Sequence, residues 1–205
     1  MIDTSPRAVL TLFKDFNDQT ISPFTTYCNL YIDYNTTCPC IKSASDTPHN
    51  YGGVCPPGTF ASYGMSGYVC YVGNDEGRAT VGSQAAIIYS FTLPSGSYLY
   101  SLEFLYLAYG SDGADTGDTA VAEALLAGSV IWSQSISKCT IAYGTARIRG
   151  NIGGGSIELR LRLRITGVFG GWLDHRNFTV DNVKFIVSKP LPPQVESPAM
   201  SLVAT

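Results

Sequence analysis

Between Ile157 and Ile165 the chain alternates strictly, with Ile157, Leu159, Leu161, Leu163 and Ile165 separated by Glu158, Arg160, Arg162 and Arg164. A period of two puts the aliphatic side chains on one face of a strand and the charges on the other; in a helix the same residues would scatter around the axis. A strand with one apolar face must bury it against a second layer. Further strand-like runs occur at Ala8 to Phe16, Tyr68 to Val72, Ala85 to Leu93, Tyr98 to Tyr109, Val130 to Ile136, Thr140 to Arg149 and Asn177 to Val187. They are rich in β-branched and aromatic residues and broken by Gly, Pro, Asn and Asp, the spacing of an all-β antiparallel sandwich or barrel.

Several local features refine this expectation. Both faces of Tyr98 to Tyr109 are apolar or aromatic, which places that strand mid-sheet with cover on two sides. Residues 119–127 (TAVAEALLA) have helix-forming composition. Their position before Gly128-Ser129 and Val130 to Ile136 nevertheless favours a hairpin. Turns are expected at Pro94-Ser95-Gly96 and at Gly150 to Gly155, and the slip in periodicity after Val180 predicts a bulge at Asp181-Asn182. One domain is expected over 1–187, followed at 188–205 by an extended tail with prolines at 190, 192, 193 and 198.

Six cysteines stand at 28, 38, 40, 55, 70 and 139, five of them within a segment rich in Pro, Thr, Tyr and Gly. The stretch from about 17 to 67 is too long for an idle connection, and an even cysteine count reads as a disulfide framework pinning a long Cys-rich loop insertion. The pairing is open, with Cys28, Cys38, Cys40, Cys55, Cys70 and Cys139 all candidates. Zinc fits poorly, because Cys38-Pro39-Cys40 is one residue tighter than a zinc knuckle and only His49 is near. Disulfides and the triplets Asn35-Thr36-Thr37 and Asn177-Phe178-Thr179 point to an oxidising setting, extracellular or on a surface, secreted or in a virion.

Composition removes other classes. A formal charge of −3 gives no general attraction for nucleic acid. No uncharged apolar run is long enough for a membrane span, and no basic-then-apolar leader follows Met1. There is no G-x-S-x-G elbow, H-E-x-x-H or P-loop, and neither His175 beside Asp174 nor any carboxylate pair advertises catalysis, so a non-enzyme is expected.

Three pieces resemble the carbohydrate-binding-module and galactose-binding-like group of jelly-roll β-sandwiches across roughly residues 8–187. Phe178-Thr179-Val180-Asp181-Asn182-Val183 resembles its closing strand, Leu10 to Asp18 its opening strand, and Phe91 to Tyr98 its mid-domain hairpin. The resemblance implies an antiparallel jelly-roll β-sandwich that binds glycan or polysaccharide. It also implies a structural calcium ion pinning the first strand to the last, held by Asp181 with Asp18 or Asp15 opposite.

Aromatic side chains grip sugar rings with a flat apolar face. Tyr51, Tyr63 and Tyr68 crowd the Cys-rich segment, and Trp172 follows Gly170-Gly171 in a loop, whereas Trp132 alternates as a core residue. Arg147, Arg149, Arg160, Arg162 and Arg164 lie on strands expected to be hairpin neighbours, with Arg160 and Arg162 central to an anion-binding patch unless Glu158 and Glu103 neutralise it. The acidic loop with Asp112, Asp115 and Asp118 is expected to be a solvated turn. Two functions follow: a non-catalytic extracellular carbohydrate-binding module, or a structural subunit of a virion surface or filament that self-associates through its Pro-rich tail.

Overall fold

A computed structural model describes residues 7–30, 39–48, 55–73, 80–111, 117–168 and 176–190. Tyr51, Trp172, Cys38, His49, Asp112, Asp115, Asp174, His175 and the tail from 191 lie outside them. The strands are β1 (Ala8–Lys14), β2 (Thr25–Cys28), β3 (Cys40–Ser43), β4 (Tyr68–Tyr71), β5 (Gln84–Gly110), β6 (Thr119–Leu126), β7 (Ser129–Ile136), β8 (Ile141–Gly167) and β9 (Arg176–Ser188). All pairings are antiparallel, and the result is an all-β jelly-roll sandwich.

Two long strands build both layers. β5 and β8 pair along their whole length, and at the middle Leu93 faces Gly155 while Ser97 faces Gly153. Pro94, Ser95 and Gly96 therefore stand opposite Gly154 alone. The two expected turns are thus a single corner, where both strands bend without reversing. Glycine is required there, because a Cβ on Gly154 would lie 1.9 Å from the Pro94 carbonyl oxygen.

The corner also changes which residues face inward. Before it Ala85, Ile87 and Leu93 point into the core; after it Tyr98, Tyr100, Leu102 and Phe104 do. One layer runs β2, the first half of β5, the second half of β8, β6 and β7; the other runs the first half of β8, the second half of β5 and β9, with β1 and β4 along the far edge of β9. The alternating aliphatics Ile157 to Ile165 pack with Phe178, Val180, Val183, Phe185 and Val187 of β9 in the one large core. Trp132 lies among Phe104, Tyr106 and Phe178, bridging the layers as its alternation predicts.

β6 and β7 form the expected hairpin despite the helical propensity of TAVAEALL. Its turn residues Ala127 and Gly128 both have positive φ (50° and 80°), the combination a tight hairpin requires. Burial of Ala120, Ala122, Ala124 and Leu126 overrides local preference.

The Cys-rich excursion makes a second, smaller core. Ala44, Phe60, Met65, Val69 and Tyr71 pack over Leu107 and Tyr109, which point outward from β5. This is why the later part of β5 is apolar on both faces. A bond between Cys55 and Cys139 ties the excursion to the β7–β8 connection, with Cα atoms 5.5 Å apart. The Tyr109 hydroxyl donates to the Cys55 carbonyl at 3.0 Å beside it. Cys70 departs from the expected framework: its thiol is fully buried in the large core, and burial pushes its pKa far up, so it is inert packing. Asn177 is buried and bonded to the Tyr71 hydroxyl, so it is unavailable as a glycan acceptor. Asp118 is likewise fully buried, against the expected solvated turn; its carbonyl accepts from the buried Arg176 guanidinium.

Candidate functional site

The open part of the outer face of the β8–β5–β9–β1 layer is a groove. By register, Arg149 stands beside Ser101 and Ser101 beside Ile186; in the next row Arg147 stands beside Glu103, Glu103 beside Lys184, and Lys184 beside Phe13. Strands about 4.8 Å apart and alternate residues about 7 Å apart turn these positions into a regular lattice of side chains. A hollow of about 430 Å³ lies over Ser101, Glu103, Arg147, Arg149, Lys184 and Ile186. A second, of about 300 Å³, continues it over Phe13, Leu105, Thr145 and Asn182, sharing Glu103 and Lys184.

The bulge predicted from sequence shapes this groove. Between Glu103 and Leu105 the β5–β9 register slips, because Asn182 takes φ 51° and adds a residue to β9. A bulge bends its strand and re-aims side chains, which here turns Asn182 into the groove lining. The excursion forms the far end. Tyr143, 55% exposed and in line with Thr145, Arg147 and Arg149 on β8, packs on Tyr63 with ring centroids 4.9 Å apart. Tyr63 is itself fixed, since its hydroxyl accepts from the Gly58 N–H at 2.8 Å. Phe13, 59% exposed, offers a second aromatic face on the opposite wall.

Charges in the groove are unevenly paired. Arg147 Nε donates to Glu103 at 3.0 Å, while exposed Arg149 and Lys184 have no acidic partner within 4.0 Å among the described residues. Sequence reasoning picked out Tyr63, Arg147 and Arg149 but missed Phe13, Ser101, Glu103 as a lining residue, Thr145 and Lys184. Their common signal is an outward position on three strands, which becomes informative only once register is known.

Arg160 and Arg162 lie elsewhere. They sit on the same strand as Arg147 and Arg149, past the corner, so they face out of the other layer and the expected single patch is two separate sets. Arg160 bonds Glu158 at 2.9 Å and lies over the Tyr27 ring; Arg162 bonds Glu123 at 2.7 Å and Gln84 at 3.0 Å. Tyr68 is half-buried at the start of β4, its N–H donating to Asn17, away from the groove lining.

Of the acids expected to hold calcium with Asp181, Asp15 lies near enough for the two charges to interact, whereas Asp18 is engaged elsewhere. Lys14 and Thr20 hold the Asp18 carboxylate, and the Lys14 hydrogen bond leads in lowering its pKa to about 2. Asp181 is fully buried and accepts from the N–H groups of Ser66 and Asn182. No cluster of three or more His, Cys, Asp or Glu with metal-binding spacing occurs among the described residues.

The Asp181 carboxyl is itself shifted well above the usual carboxylate range. Burial pushes its pKa up, the two N–H bonds pull it back, and the nearby charge of Asp15 raises it again, to about 6. A carboxyl whose folded pKa exceeds its unfolded value of 3.8 destabilises the fold once ionised, so its contribution is most favourable below pH 4 and is lost as pH rises through 6. Comparing chemical unfolding of the protein with Asp181→Asn should therefore show a stability difference that shifts in favour of the parent between pH 7 and pH 5. A difference independent of pH in that window would contradict this titration.

No protein-family model matches the sequence, and no curated protein matches it. Solved structures of similar shape include a family 61 carbohydrate-binding module in complex with β-1,4-galactotriose, at 13% identity over 86% of this chain and 95% of that one, TM-score 0.44. The K1 cleaved adhesin domain of Lys-gingipain from Porphyromonas gingivalis W83 is 12% identical over 88% and 99%, TM-score 0.48. A family 35 carbohydrate-binding module from Clostridium thermocellum is 16% identical over 86% and 98%, TM-score 0.33. All three scores lie below 0.5 and all three identities below 25%, so the function has to be argued from the groove. Among the described residues no helix is long and apolar enough to cross a membrane.

Proposed function

We propose that this chain is a non-catalytic, extracellular carbohydrate-binding module whose binding face is the groove between Arg149 and Tyr143. The observation that carries the reading is the groove itself: a rigid floor of paired strands, two adjoining hollows, and side chains that alternate hydrogen-bonding groups with aromatic faces. Ser101, Thr145 and Asn182 offer neutral donors and acceptors, Glu103 and Arg147 charged ones, and Phe13 and Tyr143 the flat apolar surfaces that sugar rings stack upon. The span from Arg149 to Tyr143 is about 20 Å, enough for an oligosaccharide lying along the strands.

Binding without hydrolysis is supported by the acid content of the groove lining. Glycoside hydrolysis uses two carboxylates flanking the bond, and among the described residues the lining contributes one, Glu103, already engaged by Arg147. The Cys55–Cys139 bond supports an extracellular setting.

A glycan array probed with purified protein, with its mass measured by light scattering on the same sample, tests the reading. Expected are a monomer that binds and a Ser101→Trp variant that keeps its melting temperature and loses at least tenfold in affinity, about 1.4 kcal/mol. Absence of binding together with a mass several times that of one chain would overturn it and favour the assembly subunit.

A further inference from the structure

Among the described residues three cations and one anion line the larger hollow, a net charge of +2 in a chain whose formal charge is −3. The groove is therefore positive although the chain as a whole is acidic. Glu103 and Arg147 satisfy each other at 3.0 Å, which leaves Arg149 on β8 and Lys184 on β9 as exposed cations with no acidic neighbour within 4.0 Å among the described residues. They stand diagonally across β5, one row apart and roughly 12 Å from backbone to backbone, with Ser101 and Glu103 between them. Elsewhere on this strand arginines are neutralised: Arg160 by Glu158, and Arg162 and Arg164 by Glu123. Among the arginines of β8, Arg149 alone lacks an acid partner among the described residues, and it shares one open groove with the equally unpaired Lys184, an arrangement matched to a ligand that brings its own anions. Nucleic acid would need a longer basic track than two free cations on an acidic chain provide.

We propose that the groove selects acidic polysaccharides, with Arg149 and Lys184 receiving carboxylate or sulfate groups of successive sugar units while the aromatic walls hold the rings. This rests on the carbohydrate-binding reading above and narrows it to a ligand class. Arg149 can accept such a group with two parallel N–H bonds and Lys184 with one, each a charge-assisted contact that a neutral sugar cannot make.

The test is affinity electrophoresis of the intact protein in native gels. The gels contain polygalacturonate as the carboxylate arm, dextran sulfate as the sulfate arm, or galactan and dextran as neutral arms. Retardation by either acidic polymer is expected, weakening with added salt. Arg149→Gln with Lys184→Gln should lower the affinity by at least about tenfold. Arg160→Gln, which removes one positive charge from the other layer, should leave it unaltered, while Arg149→Gln alone, the matching single charge in the groove, should already weaken binding. The arm that retards the protein identifies the anionic group. Retardation by the neutral polymers alone would overturn the acidic selection and leave the carbohydrate-binding reading standing. Retardation by none would overturn both. An equal loss in Arg160→Gln would show unspecific charge attraction and overturn the assignment to the groove. Thermal melts of each variant distinguish lost binding from lost fold.

Discussion

Replacing Glu123 with alanine should cost about 2–4 kcal/mol of unfolding free energy, the largest loss expected from any surface-layer charge in this protein. Its side chain is only 5% exposed, yet it sits on the outer layer face because the guanidinium groups of Arg162 and Arg164 close over it. Arg162 Nε donates at 2.7 Å, and Arg164 donates through Nε at 3.2 Å and a terminal nitrogen at 2.9 Å. Burial pushes the Glu123 carboxyl up, but the hydrogen bonds and charges of both arginines outweigh it and hold the pKa below the usual range. The contribution is thus present above the unfolded pKa near 4.5 and is lost as pH falls through the lower folded value. Removing the carboxylate leaves two cations against each other, one of them largely buried, and that desolvated repulsion dominates the cost. Arg164, 35% exposed, can turn to water, which sets the lower bound. Urea unfolding at pH 7 measures the loss, and a Glu123→Leu with Arg162→Leu pair should recover most of it. A loss under about 0.5 kcal/mol for Glu123→Ala would show the ion network to be no better than exposed pairs.

The sequence made the layered β architecture legible because burial leaves a direct imprint on a strand. Ile157 to Ile165 alternate with charges since one face meets the core, and the later part of Tyr98 to Tyr109 is apolar on both faces since the excursion covers Leu107 and Tyr109 from outside, whereas Ser101 and Glu103 before it face the open groove. The Asp181-Asn182 bulge was legible for the same reason, as a slip in that imprint. Corners were not. Pro94-Ser95-Gly96 and Gly150 to Gly155 carry turn chemistry, but glycine serves a bend and a reversal equally well, and only the pairing of β5 with β8 decides between them. The groove was hidden by the same ambiguity. A turn after Arg149 would set Arg147 and Arg149 beside Arg160 and Arg162, whereas the bend sends the two sets to opposite layers and brings Glu103 and Lys184 to the first. Long-range register joins Phe13, Ser101, Thr145 and Lys184, and no local pattern encodes it.

Breaking the Cys55–Cys139 link by Cys139→Ser should cost about 2–4 kcal/mol and should do so unevenly. The bond closes a sequence separation of 84 residues, for which a chain-entropy model gives about 4.5 kcal/mol; less is expected because the excursion keeps its own cluster. That cluster, Phe60, Met65, Val69 and Tyr71 over Leu107 and Tyr109, is small, and the layers beneath it share the much larger core. The excursion should therefore open before the sandwich unfolds, baring the outward faces of Leu107 and Tyr109 and freeing Tyr63 from Tyr143. Hydrogen exchange should rise across residues 55–71 in the variant while β6 and β8 stay protected, and dye binding to the exposed apolar surface should appear at denaturant concentrations where strand signal persists. Uniform acceleration of exchange over the whole chain would show that excursion and sandwich form one cooperative unit. Because Tyr143 with Tyr63 closes one end of the groove, the same variant should weaken glycan binding before it lowers the β content. The fastening of the excursion and the shape of the binding face are then one structural feature, set by a cysteine that lies 69 residues beyond the other five.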